Sequence, residues 1–132
     1  MWMPTPRSRP RWKDDLVAFS PVWTNAAEAQ YNTLKAAAEA SRGARRNDRK
    51  AKATRAEGLF KQVHGCIQKL LSDPRHPGLK THKYDSLEHP YDRKQPVFEA
   101  YAQNRTPGAY RVFWCYGPKP GQITIIAITP HP

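Results

Sequence analysis

The chain has 132 residues, with 22 Lys and Arg against 11 Asp and Glu and a formal charge of +11. That length suits one domain with one core, and that charge suits a polyanionic partner, either nucleic acid or an anionic membrane. The longest apolar run, Ile125-Ile126-Ala127-Ile128, is far short of the roughly 20 residues that cross a bilayer, and Met1-Trp2-Met3-Pro4 lacks the core of a signal peptide, so the expectation is a cytoplasmic protein.

Residues 1–13 mix Pro4, Pro6 and Pro10 with Arg7, Arg9, Arg11 and Lys13. This composition predicts a flexible basic arm, leaving 14–132 as the domain. Asp14 to Phe19 is a short strand candidate, with Val17 and Phe19 on one face. Ser20-Pro21 then predicts a helix start, Ser as the N-cap and Pro in the first turn. From Val22 to about Ala40, Ala27, Tyr31, Leu34 and Ala38 form one helical stripe. The basic segment Arg42–Arg55 is nearly all polar, and periodicity does not decide between loop and exposed helix. A second helix is predicted from Ala53 to Ser72, carried by Leu59, Phe60, Val63, Ile67, Leu70 and Leu71. It ends at Ser72-Asp73-Pro74, because the residue before Pro leaves the helical region.

The last third reads as strands: His82–Leu87 weakly, Val97–Tyr101 better, Tyr110–Tyr116 strongly, and Gln122–Thr129. The final run is almost continuously apolar, which predicts a central strand buried on both faces. Asn104–Gly108 and Gly117–Gly121 are turns that make neighbouring strands antiparallel. Strand, helical hairpin and then meander predict an α+β domain with the helices on one sheet face. The two cysteines, Cys66 and Cys115, fit small buried residues better than a disulfide scaffold.

Arg111 lies inside an aromatic strand, where alternation sets it with Phe113 and Cys115 and sets Tyr110, Val112, Trp114 and Tyr116 on the other face. An Arg on a sheet face of a small domain needs a partner or an open concavity, and its planar fork suits a phosphate. His131 follows the last strand between two prolines and has the side chain suited to proton transfer near neutral pH. His82 and Lys83 are adjacent on a strand, so only one of them can face a given site. The five histidines show no metal-ligand spacing, and neither a P-loop nor GxGxxG occurs, so no metal, cofactor or small-molecule cofactor partner is expected.

Several segments together resemble the RelE/ParE superfamily of bacterial toxins. Leu16-Val17-Ala18-Phe19-Ser20-Pro21 is similar to the family's opening strand and helix start. Leu70-Leu71-Ser72-Asp73-Pro74 with Gly78-Leu79-Lys80-Thr81-His82-Lys83-Tyr84 is similar to the end of its second helix and the basic strand that follows. Tyr110-Arg111-Val112-Phe113-Trp114 and Ile125–Ile128 with Thr129-Pro130-His131-Pro132 resemble its last two strands. The resemblance implies a curved antiparallel sheet with a helical hairpin. It also implies a toxin that cleaves mRNA at the ribosome without metal, by attack of a 2′-hydroxyl on the adjacent phosphate, and that a cognate antitoxin neutralises. On that footing Arg111 stabilises the phosphate, His131 is the general acid, and His82 or Lys83 supplies the base. Lys80, Arg105, Tyr84 and Tyr116 would contact mRNA or rRNA. Some relatives use a Glu base on the strand after the helices; the position aligned here is Gly78. Two other readings keep the charge: a ParE-like toxin that poisons gyrase, and a basic RNA- or ribosome-binding module without catalysis. Membrane binding is not expected, because no basic helix carries a large aromatic face.

Overall fold

Ser20-Pro21 does not begin the first helix. In the computed structural model, which describes residues 19–46 and 52–131, Ser20–Trp23 is an edge strand, β1. Val22 and Trp23 favour extended backbone, and Pro21 is tolerated because an edge strand leaves some amides unpaired. The N-cap falls instead on Thr24, whose Oγ1 accepts from Ala27 N at 3.0 Å and donates to Ile126 O at 2.7 Å. Helix α1 therefore spans Asn25–Arg45 and takes in the start of the basic segment.

Helix α2, Arg55–Ser72, opens on a capping box between Thr54 and Glu57. Glu57 also receives Arg45, with Nε at 3.0 and 2.9 Å from its two carboxylate oxygens. The end of α1 is thereby clamped to the start of α2. The Arg45 hydrogen bonds, helped by the Thr54 amide and opposed by burial, hold the Glu57 carboxyl down at about 2. A 3-10 turn, Pro77–Leu79, follows α2.

The remaining strands are β2 (His82–Lys83), β3 (Phe98–Tyr101), β4 (Tyr110–Tyr116) and β5 (Gln122–Pro130). The sheet order is β1-β5-β4-β3-β2, with β1 parallel to β5 and every other pair antiparallel. The α+β architecture thus holds, but the sheet is mixed. The weak strand expected over His82–Leu87 is cut to two residues, since Asp85, Ser86 and Pro90 are turn formers.

The helices cover one sheet face. Val112, Trp114, Ile123, Ile125 and Ile128 pack there against Val63, Ile67, Leu70 and Leu71. The last strand is interior but not central, and helices cover only one of its faces. A bulge explains its unbroken apolar run: Phe113 pairs with Ala127 and Trp114 with Ile125, leaving Ile126 unmatched. Ile123, Ile125 and Ile128 consequently all reach the core. Cys66 and Cys115 are buried and free, and burial pushes their thiols up to about 12 and about 11. Among the described residues no helix is long and apolar enough to cross a membrane. The basic arm 1–13, most of the strand expected from Asp14, and 47–51 of the basic segment lie outside the described residues.

Candidate active site

Sheet register assembles one cluster on the face turned away from the helices. His82 pairs with Glu99, Glu99 with Phe113, Tyr101 with Arg111, and Arg111 with Thr129. Residues paired across strands point to the same face, so β2, β3 and β4 each contribute there. His131, two residues past Thr129, keeps that face. Its amide donates to Ala109 O at 2.8 Å, which extends the ladder beyond β5 and fixes the backbone of this near-terminal residue.

Glu99 is the centre of the cluster, with only 1 % of its surface exposed. Its Oε1 lies 2.5 Å from His82 Nε2, and its Oε2 lies 3.7 Å from both Arg111 Nε and His131 Nε2. Arg111 and His131 therefore approach the same oxygen. At 3.7 Å these are ion-pair contacts rather than hydrogen bonds, and among the described residues Glu99 Oε2 and Arg111 Nε have no hydrogen-bond partner. A buried carboxylate is tolerated where cations converge on it. His82 and His131 are about half exposed, so the cluster has a buried anion beneath two accessible imidazoles.

Arg111 is held from three sides. Its Nη1 donates to the carbonyls of Gln103 and Ala109 at 3.1 and 3.2 Å. Its Cζ sits 3.7 Å from the centre of the Tyr101 ring, a cation–π contact. The loop supplying those carbonyls is itself tied down, since Gln103 accepts from Tyr110 N and donates to Gln62. Such a guanidinium is fixed in place before any anion arrives.

Of the residues singled out from sequence, the structure brings Arg111, His131, His82 and Tyr84 to this face. The Tyr84 ring packs on Phe113, 4.7 Å between centroids. The others fall elsewhere. Lys83 pairs with Phe98 and alternates to the helix side. Lys80 and Tyr116 line a separate cleft with Phe98 and Trp114, because Tyr116 shares the parity of Trp114. Arg105 sits in the loop before β4 in a left-handed conformation, φ 60°. Among the described residues no group of His, Cys, Asp and Glu is arranged to hold a metal ion.

Sequence reasoning missed Glu99 and Tyr101. The resemblance aligns the relatives' Glu with Gly78, which carries no side chain, and the buried carboxylate of this fold stands instead on β3. A signal existed: Glu99 interrupts the apolar run Val97-Phe98-Glu99-Ala100-Tyr101, the same anomaly that drew attention to Arg111.

The sequence matches no protein-family model and no curated protein. The fold does have known counterparts: it is the fold of the YoeB/ParE toxins. A YoeB/ParE toxin from Agrobacterium tumefaciens aligns over 86 % of this chain and 100 % of its own, with a TM-score of 0.53 and 12 % identity. The YoeB dimer from Staphylococcus aureus aligns over 87 % of this chain and 99 % of its own, with a TM-score of 0.50 and 12 % identity.

Proposed function

We propose that this chain is the toxin of a toxin–antitoxin pair and an endoribonuclease that cleaves mRNA at the ribosome. The observation that carries the reading is the convergence of His82, Arg111 and His131 on Glu99 at an open sheet face. Cleavage by an internal 2′-hydroxyl needs a base, a cation for the pentavalent phosphorus, and an acid for the departing 5′-oxygen. The His82–Glu99 pair accepts the 2′-hydroxyl proton, the carboxylate orienting the imidazole as in other carboxylate–His pairs. The 2′-oxygen attacks phosphorus, and the guanidinium of Arg111 takes up the growing charge on the phosphoryl oxygens. His131 gives its proton to the 5′-oxygen, leaving a cyclic phosphate and a 5′-hydroxyl. Tyr84, beside this cluster, offers an aromatic face to a base. The positive charge of the chain suits approach to rRNA, and it equally suits neutralisation by an acidic antitoxin.

The test is a translation extract with a defined mRNA and mapping of 5′ ends. Cuts within codons are expected, lost in Arg111→Ala and in His131→Ala. Undiminished cutting by Arg111→Ala overturns the assignment. Intact mRNA with DNA breaks accumulating in the presence of gyrase overturns the nuclease reading in favour of a gyrase poison.

A further inference from the structure

His82 and His131 approach opposite oxygens of one carboxylate, Glu99, and Arg111 approaches the oxygen that His131 uses. The two imidazoles are 48 % and 46 % exposed, while the Arg111 and Glu99 side chains beneath them are 10 % and 1 % exposed. A single cleavage leaves each imidazole in the other's starting state. Once the 2′-hydroxyl has attacked, the His82–Glu99 pair carries a proton and His131 has lost one. A protonated His82 finds an acceptor for each ring nitrogen: Glu99 Oε1 for Nε2, and the Lys80 carbonyl, 3.3 Å away, for Nδ1. His131 stays in place through its amide, which is tied to Ala109 O at 2.8 Å. A base now stands where the acid stood, and an acid where the base stood.

We infer that this face also hydrolyses nucleoside 2′,3′-cyclic phosphates, the ends that the first reaction leaves, to 3′-monophosphates. This second activity rests on the nuclease reading and adds a different substrate, a strained five-membered cyclic diester, and a different nucleophile, water. Departure of the 5′-hydroxyl fragment vacates the place beside His131, and the exposure of both imidazoles lets water fill it. His131 takes a proton from that water as its oxygen bonds to phosphorus opposite the 2′-oxygen. The bond from phosphorus to the 2′-oxygen breaks, and the His82–Glu99 pair gives its proton to that oxygen. Arg111 stabilises the pentavalent phosphorus in both reactions. Its Nη1 stays on the carbonyls of Gln103 and Ala109, and its Nε has no hydrogen-bond partner among the described residues. One water is consumed, one phosphomonoester forms, and both imidazoles return to the states in which they began. Because the acid serves the 2′-oxygen alone, the product is the 3′ isomer alone. Hydrolysis in buffer has no such preference and gives both isomers.

The experiment incubates the full chain with adenosine 2′,3′-cyclic phosphate at pH 7, in EDTA and oxygen-18 water, and follows it by phosphorus NMR. Expected are the 3′-monophosphate without its 2′ isomer, one labelled oxygen in each product, and a rate about a hundredfold above that of buffer. Arg111→Ala and His131→Ala, purified in the same way and matching the parent in far-UV circular dichroism, are expected to fall to the buffer rate. In parallel, a reconstituted translation system with a defined mRNA shows whether the chain cuts within codons. Absence of hydrolysis above buffer overturns the inference. Cuts within codons then leave the nuclease reading standing, and intact mRNA overturns both. A mixture of 2′ and 3′ products, or hydrolysis undiminished in His131→Ala, also overturns the inference by assigning the reaction to buffer or to a contaminating enzyme.

Discussion

Replacing Glu99 by Gln keeps the shape of the side chain and removes its charge, which isolates what the carboxylate does for the fold. Arg111 is 10 % exposed at its side chain and Glu99 is 1 % exposed, with 3.7 Å between Nε and Oε2. At an effective dielectric of about 20, that separation corresponds to about 4.5 kcal/mol of attraction. Part of it is offset by the cost of desolvating two ions, but a variant that strips one partner leaves the other buried and unpaired, at about 3–5 kcal/mol. The half-exposed histidines are screened by water and add little. Glu99→Gln is therefore expected to lose about 3 kcal/mol. With a urea slope of roughly 1.5 kcal/mol per molar for a domain of this size, the midpoint falls by about 2 M. Glu99→Gln/Arg111→Met, which removes the stranded cation too, is expected to regain most of that loss. The assay is equilibrium urea unfolding at pH 7 followed by far-UV circular dichroism. A midpoint unchanged in the single variant, or a double variant as unstable as the single, refutes the placement of a charged carboxylate at the centre of the cluster.

Other variants test other layers of the argument. Leu70 is fully buried between α2 and the sheet, so Leu70→Ala is expected to cost about 3 kcal/mol in the same unfolding assay. The Glu57 carboxyl is held at about 2, below its ordinary value of about 4.3. The stability this gives is complete above about pH 5 and disappears as the pH falls through about 4 towards 2. The difference in melting temperature between the parent and Glu57→Gln should accordingly be constant near neutrality and close near pH 2; a constant gap down to pH 2 removes the Arg45–Glu57 clamp as its cause. Cys66 and Cys115 are buried thiols with raised pKa values, so a disulfide reagent at pH 8 should label them only after denaturant is added.

Local pattern was enough for most elements. Helix α2, β4 and the turns around them follow from apolar periodicity and from Pro and Gly placement, which act over a few residues. The start of α1 was not legible. Ser20-Pro21 satisfies the rules for a helix start, and only the neighbouring β5 strand, pairing Pro21 with Ile123, makes that stretch a strand. The same division runs through the site. Arg111 and His82 stand out one at a time, but their meeting at Glu99 depends on the register of β2, β3 and β4, a long-range property. Tyr116 is the opposite case: alternation along its own strand already sets it across from Arg111, and its pairing with Ile123 agrees.

The unmatched Ile126 in β5 works as a phase shift. Before it, odd-numbered residues of the strand face the helices, as Ile123 and Ile125 do; after it, the even-numbered Ile128 faces them, and Thr129 is released to the side of Arg111. With Ile126 in step, the odd series would continue through Thr129, and His131 would arrive on the wrong side of the sheet from Glu99. One residue of slack, anchored by the Thr24 hydroxyl on the Ile126 carbonyl, therefore decides which side of the protein receives the imidazole. The first helix cap, 102 residues upstream of that carbonyl, is in this sense part of the machinery that aims it.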